Sequence, residues 1–286
     1  MPVPKPIAYR SDIDGLRAVA VAAVICFHAF PTVLAGGFVG VDIFFVISGF
    51  LISTIIFQQI EDGTFSIAQF YARRIKRIFP GLILVLAATF VIGWFVLLGD
   101  EFKLLNEHIA ACVGFVINFA LSSEAGYFDV AAASKPLLHL WSISVEEQYY
   151  IFWPLIVIAF GKSRRALLPT MLAIALASFL INIGRIHHHR ASTFYLPTSR
   201  IWELALGCWL AHRTIYREYF VHPWTEQNLS RLLRASPPAL NAIKSIVGLA
   251  LILASMLVLG PDAAYPGWWA LMPTLGSYLI ISAGPG

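Results

Sequence analysis

Long runs of apolar residues, each bounded by a short polar or basic segment, set the pattern of this 286-residue chain. The first run predicts a helix over Leu16–Leu34, and the second predicts one over Phe38–Phe57. Because only a few residues separate them, the two helices are expected to form a hairpin. Each run approaches the roughly 20 residues that cross a bilayer as a helix. Further spans are expected at 81–98, 143–160, 166–183, 200–212, 245–260 and 271–286.

An amphipathic stretch, Thr64–Phe79, lies between the second and third spans. Its apolar residues recur at helical spacing, and its polar side is basic, with Arg73, Arg74, Lys76 and Arg77. This pattern is typical of a helix that lies at an anionic membrane face. Pro80 is expected to separate this surface helix from the third span, which starts at Gly81.

The stretch 104–121 is apolar enough to cross a membrane, yet it carries several polar side chains. The positive-inside rule decides between two arrangements. If the N-terminus is inside and 104–121 does not cross, 15 of the 20 lysines and arginines lie inside, whereas only 11 do if it crosses. We therefore expect 104–121 to be re-entrant or interfacial, and 122–150 to lie outside.

Composition agrees with a membrane protein, since 58% of the residues are hydrophobic and only 13% are charged. Soluble domains average about 25% charged residues. The expected fold is an all-α, polytopic transmembrane helical bundle with about eight spans. The formal charge of +4 comes from the segments between spans, so it indicates topology and not nucleic-acid binding. Residues 1–286 are expected to be one membrane domain, truncated because the last apolar run ends without a polar tail.

Two polar residues of the first helix, Arg17 and His28, are eleven positions apart. They therefore share a helix face, at depths that differ by roughly 16 Å. A titratable histidine in a membrane helix is costly and indicates a functional site, although an interfacial arginine and a hydrogen-bonded histidine would be purely structural. A neutral imidazole can take a proton from an alcohol as general base. The hairpin brings Asp42 toward His28, whose tautomer it would then fix.

A second candidate pair is Arg74 and Arg77, which lie three residues apart on one helix face. Together they can form a fork around phosphate oxygens, as in the binding of a phosphorylated ligand from the cytoplasm. Simple positive-inside anchoring of the basic segment is the alternative.

A third group of polar residues lies at the start of the predicted span 143–160, where a membrane helix is usually apolar. Capping of the helix would explain a serine and one glutamate, but not the whole set. Such a group can hydrogen-bond a sugar or orient a catalytic residue. Its members are Ser142, Ser144, Glu146, Glu147 and Tyr149.

Arg200 and Glu203 lie three positions apart at the head of an apolar helix, where a structural ion pair is expected. We treat them as secondary site residues. The consecutive histidines 187–189 do not share a helix face, so no metal site is predicted.

Taken in order, these motifs resemble the acyltransferase-3 family of bacterial membrane O-acyltransferases. The family's Arg/Lys-x10-His motif matches Arg17 and His28, and its Arg-x-x-Arg motif matches Arg74 and Arg77. Its Ser-x-Ser-x4-Tyr motif matches three residues of the helix entry (Ser142, Ser144 and Tyr149). The stretches 14–18 and 36–50 resemble the family's opening and second helix. The family usually has ten or more spans, of which about eight would be present here.

The resemblance implies an enzyme that transfers an acyl group, usually acetyl, from acyl-CoA at the cytoplasmic face. No tightly bound cofactor is expected, and acetyl-CoA would be a co-substrate. The implied acceptor is a hydroxyl of a membrane-associated carbohydrate, such as lipopolysaccharide O-antigen, peptidoglycan or exopolysaccharide. The implied location is a bacterial inner membrane with a cytoplasmic N-terminus. A transporter or proton-coupled carrier, which also uses buried His, Asp and Arg, is the alternative.

On this reading the polar residues divide into three roles. His28 is the general base or a transient acyl carrier, and Asp42 supports it. The acyl-CoA is held by Arg17, Arg74 and Arg77. The outer serine-rich group handles the acceptor.

Overall fold

The computed structural model describes residues 9–124, 134–160, 164–216, 236–260 and 263–285, and the regular structure within these ranges is helical throughout. The all-α prediction is therefore confirmed. The helices are α1 Ser11–Ala29, α2 Gly40–Glu61, α3 Ile67–Val96, α4 Gly99–Val113, α5 Ile117–Glu124, α6 Leu140–Phe160, α7 Arg164–Arg185, α8 Arg190–Tyr195, α9 Ile201–Ile215, α10 Pro237–Val258 and α11 Leu271–Ala283.

Helices occupy each of the eight stretches predicted as spans. Four of them are long and apolar enough to cross a membrane: Gly37–Glu61, Ile67–Val96, Leu167–Arg185 and Pro237–Val258. Other helices are shorter, such as α9 with 15 residues and α11 with 13. The first helix also differs from its expected bounds, because it starts at Ser11 and ends at Ala29, before Pro31.

The expected break at Pro80 is wrong, because α3 runs without interruption through this residue. The surface helix and the third span are thus one helix of 30 residues, which starts where the Ser66 hydroxyl accepts a hydrogen bond from the Gln69 amide. A proline removes one amide donor and crowds one carbonyl, and membrane helices tolerate this where other groups satisfy the backbone. The basic residues therefore lie on the first turns of a membrane-length helix.

Helices α4 and α5 form a tight hairpin that contains the ambiguous stretch 104–121. The chain reverses at Phe115, which has a positive φ of 53°. The α5 helix then returns along α4, since the His108 Nε2 atom lies 2.7 Å from Glu124 Oε1. At the tip, the Phe115 ring packs edge-on against Phe79, near the middle of α3. The end of α5 therefore lies beside the middle of α4.

Helix α2 is the centre of the bundle and packs against α1, α6, α9 and α11. Its closest contact is with α9, where the two backbones touch at Gly49 and Gly207. A Cβ atom on Gly49 would overlap the Leu204 carbonyl oxygen, and one on Gly207 would overlap that of Val46. This contact fixes α9 against α2 at one register.

We predict that Gly49→Ala strongly destabilises the protein, by about 1–3 kcal/mol or more, because the added methyl group must push two helices apart. Thermal unfolding in detergent would measure this. The matched control is Gly184→Ala on α7, where an added Cβ meets nothing within 4 Å. That change should be neutral or stabilise by about 1 kcal/mol, since alanine favours helix. Equal unfolding temperatures for the two variants would contradict the close-contact interpretation.

Candidate active site

A cavity of about 740 Å³ lies among α1, α2, α3 and α6. Its size is within the roughly 300–1,000 Å³ that is usual for ligand sites. Most of its wall is apolar, but charged side chains of α1, α3 and α6, and of the residue that precedes α1, face it. These are Arg10, Asp14, Arg17, Arg74, Arg77, Glu146 and Glu147.

The cavity has two ends that differ in character. At the first end, the Arg74 guanidinium lies 4.3 Å from the centre of the Tyr150 ring. Helices α3 and α6 are antiparallel from this point, and their lining residues continue to Val85 and Leu140. Ten or eleven helical residues correspond to roughly 15 Å. We call the end at Arg74 the mouth and the end at Leu140 the inner end.

The arginines of the cavity differ in whether a carboxylate already neutralises them. Arg10 pairs with Asp12 at 2.6 Å, and Arg17 pairs with Asp14 at 3.1 Å. Arg74 and Arg77 make no hydrogen bond or salt bridge with the part of the chain that the structure describes. Three arginines that were predicted to act together, Arg17, Arg74 and Arg77, thus face one cavity.

The five residues predicted to handle the acceptor do not form one group. Glu146 and Glu147 face the arginine-lined cavity, whereas Tyr149 faces a second one. The Ser142 hydroxyl donates to the His139 carbonyl at 3.3 Å, and the Ser144 hydroxyl donates to the Leu140 carbonyl at 3.3 Å (both within the first turns of α6). The five residues therefore lie on different faces of α6: two face the first cavity, one faces the second, and both serines bond to backbone carbonyls.

Glu146 holds α2 and α6 together at the middle of the cavity. Its Oε2 atom accepts hydrogen bonds from the Ser48 hydroxyl at 2.5 Å and from the Tyr150 hydroxyl at 2.7 Å. Because Tyr150 also lies under Arg74, this carboxylate indirectly positions the cation at the mouth.

His28 lies at the end of α1, exposed to the surroundings, and does not line the cavity. Its Nδ1 atom is 2.8 Å from the Val24 carbonyl oxygen. Since a carbonyl only accepts, Nδ1 carries the proton in this contact, and Nε2 of the neutral ring is left with its lone pair. This is the tautomer that a general base at Nε2 requires.

A second imidazole, that of His139, lies close to His28 and directly precedes the inner-end residue Leu140. Desolvation lowers the pKa of His139 below its ordinary value, and a positive charge on His28 lowers it further, while a hydrogen bond with the Pro136 backbone opposes both. The inner end of the cavity is therefore one residue from a histidine that interacts electrostatically with His28.

The predicted partnership of Asp42 and His28 is wrong. Asp42 is fully buried, and its Oδ1 atom accepts a hydrogen bond from Arg200 Nη1 at 3.1 Å. The α1–α2 hairpin does form, but Asp42 points to α9 and not to α1. The Val24 carbonyl takes the role of fixing the His28 tautomer.

The expected ion pair between Arg200 and Glu203 is present at 2.8 Å, and both residues are fully buried. With Asp42 it forms a cluster of one cation and two carboxyl groups. Four aromatic rings surround the guanidinium at 5.4–5.7 Å, those of Phe45, Trp141, Phe194 and Tyr265. Sequence reasoning missed this cluster, because Asp42 and Arg200 are 158 residues apart and no local spacing connects them.

A second cavity, of about 500 Å³, lies between the tip of the α4–α5 hairpin and helices α6, α7 and α9. Its wall is apolar apart from Gln148, Tyr149 and Cys208. The Gln148 amide nitrogen is already used, since it donates to the Phe115 carbonyl at 2.6 Å and to Asn118 Oδ1 at 2.9 Å. Within the described ranges, no three His, Cys, Asp or Glu side chains come together as metal ligands.

Long apolar helices packed around a buried polar centre define a multi-pass membrane protein. Comparison with known proteins gives its class. The model of the acyltransferase domain family known as acyltransferase 3 matches residues 10–285. The chain belongs to this family, and this membership favours an acyltransferase over the transporter alternative.

Individual relatives agree with the family. The chain is 35% identical over 249 residues to an uncharacterised Haemophilus influenzae protein, covering 84% of this chain and 96% of that protein. It is 33% identical over 256 residues to the peptidoglycan O-acetyltransferase OatA of Listeria monocytogenes, covering 87% and 39%. Staphylococcus aureus proteins named provisionally as O-acetyltransferases are 32% identical over 219 residues, covering 72% and 35%. The chain thus spans well under half the length of the named O-acetyltransferases. No solved structure gives a significant match.

We predict that Arg200→Met destabilises the protein by about 3–5 kcal/mol, because it leaves Asp42 and Glu203 buried without a cation. Thermal unfolding in detergent would measure the loss. His28→Gln is the comparison, since His28 is exposed and its hydrogen bond is with a carbonyl of its own helix. Similar unfolding temperatures for the two variants would show that the cluster does not stabilise the fold.

Proposed function

We propose that this chain transfers an acyl group, acetyl in the simplest case, from acyl-CoA to a hydroxyl of a cell-envelope carbohydrate. The observation that carries the proposal is the cavity that Arg74 and Arg77 face together, where neither guanidinium makes a hydrogen bond or salt bridge with the described residues. Guanidinium groups three residues apart, with their N–H donors free, suit the phosphates of CoA. The names of the relatives in Listeria and Staphylococcus support acetyl as the group and a glycan such as peptidoglycan as the acceptor.

The proposed topology places the N-terminus and the mouth of the cavity in the cytoplasm of a bacterium. The chain then contributes about eight spans to a single domain, and the α4–α5 hairpin is re-entrant. Two features support this arrangement. The α5 helix turns back along α4 at Phe115, and the mouth lies beside the basic first turns of α3. Acyl-CoA would enter at Arg74 and extend toward Leu140, along a wall that also carries the Arg17–Asp14 pair.

The proposed chemistry takes place near His28, beyond the inner end. The acceptor oxygen attacks the thioester carbonyl, a C–O bond forms, the C–S bond breaks, and CoA leaves as a thiol after taking up a proton. The free Nε2 atom of His28 accepts the hydroxyl proton as general base. In the alternative route the same atom first takes the acyl group and then passes it to the acceptor. Exposure of His28 and its tautomer support both routes.

We predict that Arg74→Gln and Arg77→Gln each weaken acetyl-CoA binding by about 10- to 100-fold, because charged hydrogen bonds contribute about 1.5–3 kcal/mol. Calorimetric titration of purified protein would measure this. Lys76→Gln is the matched control, because Lys76 lies between them in sequence but does not line the cavity. Equal weakening by all three changes would indicate a general effect of surface charge and would contradict the proposed site.

We predict that His28→Ala reduces acyl transfer by about 10²–10⁴-fold, the range expected for loss of a general base, while acetyl-CoA binding is retained. Mass spectrometry of surface glycans from cells that carry the complete protein or the variant would measure transfer. Binding should be retained because His28 lies outside the cavity. Unchanged acylation in the variant would exclude both roles of His28.

A further inference from the structure

Glu147 is the one carboxyl group of α6 in the cavity that has no partner in the described structure. Its side chain is buried, with 8% of the residue exposed, and it lines the cavity one turn from Tyr150. It makes no hydrogen bond or salt bridge there, whereas its neighbour Glu146 accepts two hydroxyl groups. The two adjacent glutamates therefore differ: Glu146 is bound to hydroxyl groups of the protein, and Glu147 is not.

A carboxylate at this position is unfavourable for the binding of phosphates alone. Glu147 lies close enough to Arg74 and Arg77 to reduce their positive potential, and it would repel an anion at the mouth. Its carboxyl oxygens open into a cavity whose wall is mostly apolar and offers them no hydrogen-bond donor. Both features are accommodated if a bound ligand supplies N–H groups to Glu147.

The order of the lining residues along the cavity indicates which part of the donor would lie beside Glu147. With the CoA phosphates at Arg74 and Arg77, the next segment toward Leu140 is the pantetheine arm. This arm contains two amide groups and extends over roughly 15 Å, similar to four or five extended residues. The wall beyond the mouth is largely apolar, with Ile47, Ile78, Leu82 and Ile143. An amide N–H that passes there without an acceptor would be penalised, because buried donors need partners.

We infer that Glu147 accepts a hydrogen bond from a pantetheine amide and so selects CoA thioesters over acyl donors that lack this arm. The inference rests on the proposed function, and it assigns Glu147 to the donor and not to the carbohydrate. Glu147 is thus a specificity-determining residue for the donor, and Glu146 is a positioning residue that holds α2, α6 and Tyr150.

The test compares three donors that differ in the arm: acetyl-CoA, S-acetylpantetheine, which keeps both amides without the nucleotide, and ethyl thioacetate, which has neither. Acetyl release by purified protein is measured for the wild type, Glu147→Leu and Glu147→Gln. Glu107→Leu is the control, because Glu107 is exposed on α4 and lies outside the cavity. Thermal unfolding of every variant checks that each one is folded.

We predict that Glu147→Leu lowers kcat/KM by about 10- to 100-fold for both amide-bearing donors and leaves ethyl thioacetate unchanged. Glu147→Gln keeps a carbonyl acceptor, so its loss should be less than about threefold. An equal loss for all three donors, a loss of kcat alone in Glu147→Gln, or no loss in Glu147→Leu would each overturn the inference. If the wild type releases acetyl from neither amide-bearing donor, the proposed function fails as well.

Discussion

The buried contact of Arg200 with Asp42 and Glu203 is the constraint on which the arrangement of the helices depends. It joins α2, the central helix, to α9 at a point where both carboxyl groups and the guanidinium are out of solvent. Isolated charges at such a site are very unfavourable, so the three groups stabilise the fold only when α2 and α9 meet in one register. The Gly49 and Gly207 contact enforces the same register by shape. The aromatic rings around Arg200 extend this fixed centre to α6 and α8.

Fixing α2 in this way also determines which groups surround the C-terminal end of the first helix. Asp42 is committed to Arg200, so His28 receives its orientation from the Val24 carbonyl of its own helix. A helix carbonyl fixes the tautomer as well as a carboxylate does, but it carries only a partial charge. The orientation of the His28 ring is therefore set within α1, while Asp42 takes part in the packing of α2 against α9.

The sequence predicted which residues share a face of one helix, but it mostly did not predict which residues of different helices are in contact. The spacing of Arg74 and Arg77 placed both on the cavity face, because three residues nearly complete a helical turn. Asp42 was misassigned because its true partner is distant in sequence and lies in a helix whose packing no local pattern reveals. Tyr149 was grouped with Glu146 because residues three apart share a helix face. Only the packing of α6 shows that residues 140, 143, 146, 147 and 150 line one cavity, while residue 149 lines the other.

Helix α6 is the element that connects these separate findings. One face lines the arginine-rich cavity from Tyr150 to Leu140, and the adjoining face, with Tyr149 and Trp153, lines the apolar cavity beside the hairpin tip. Its first turn brings Trp141 against Arg200, one residue from the cavity's inner end. The buried ionic cluster thus fixes the start of α6, where the arginine-lined cavity ends one residue from His139. A donor that fills the cavity from its mouth would be directed to that end by the same contacts that stabilise the bundle.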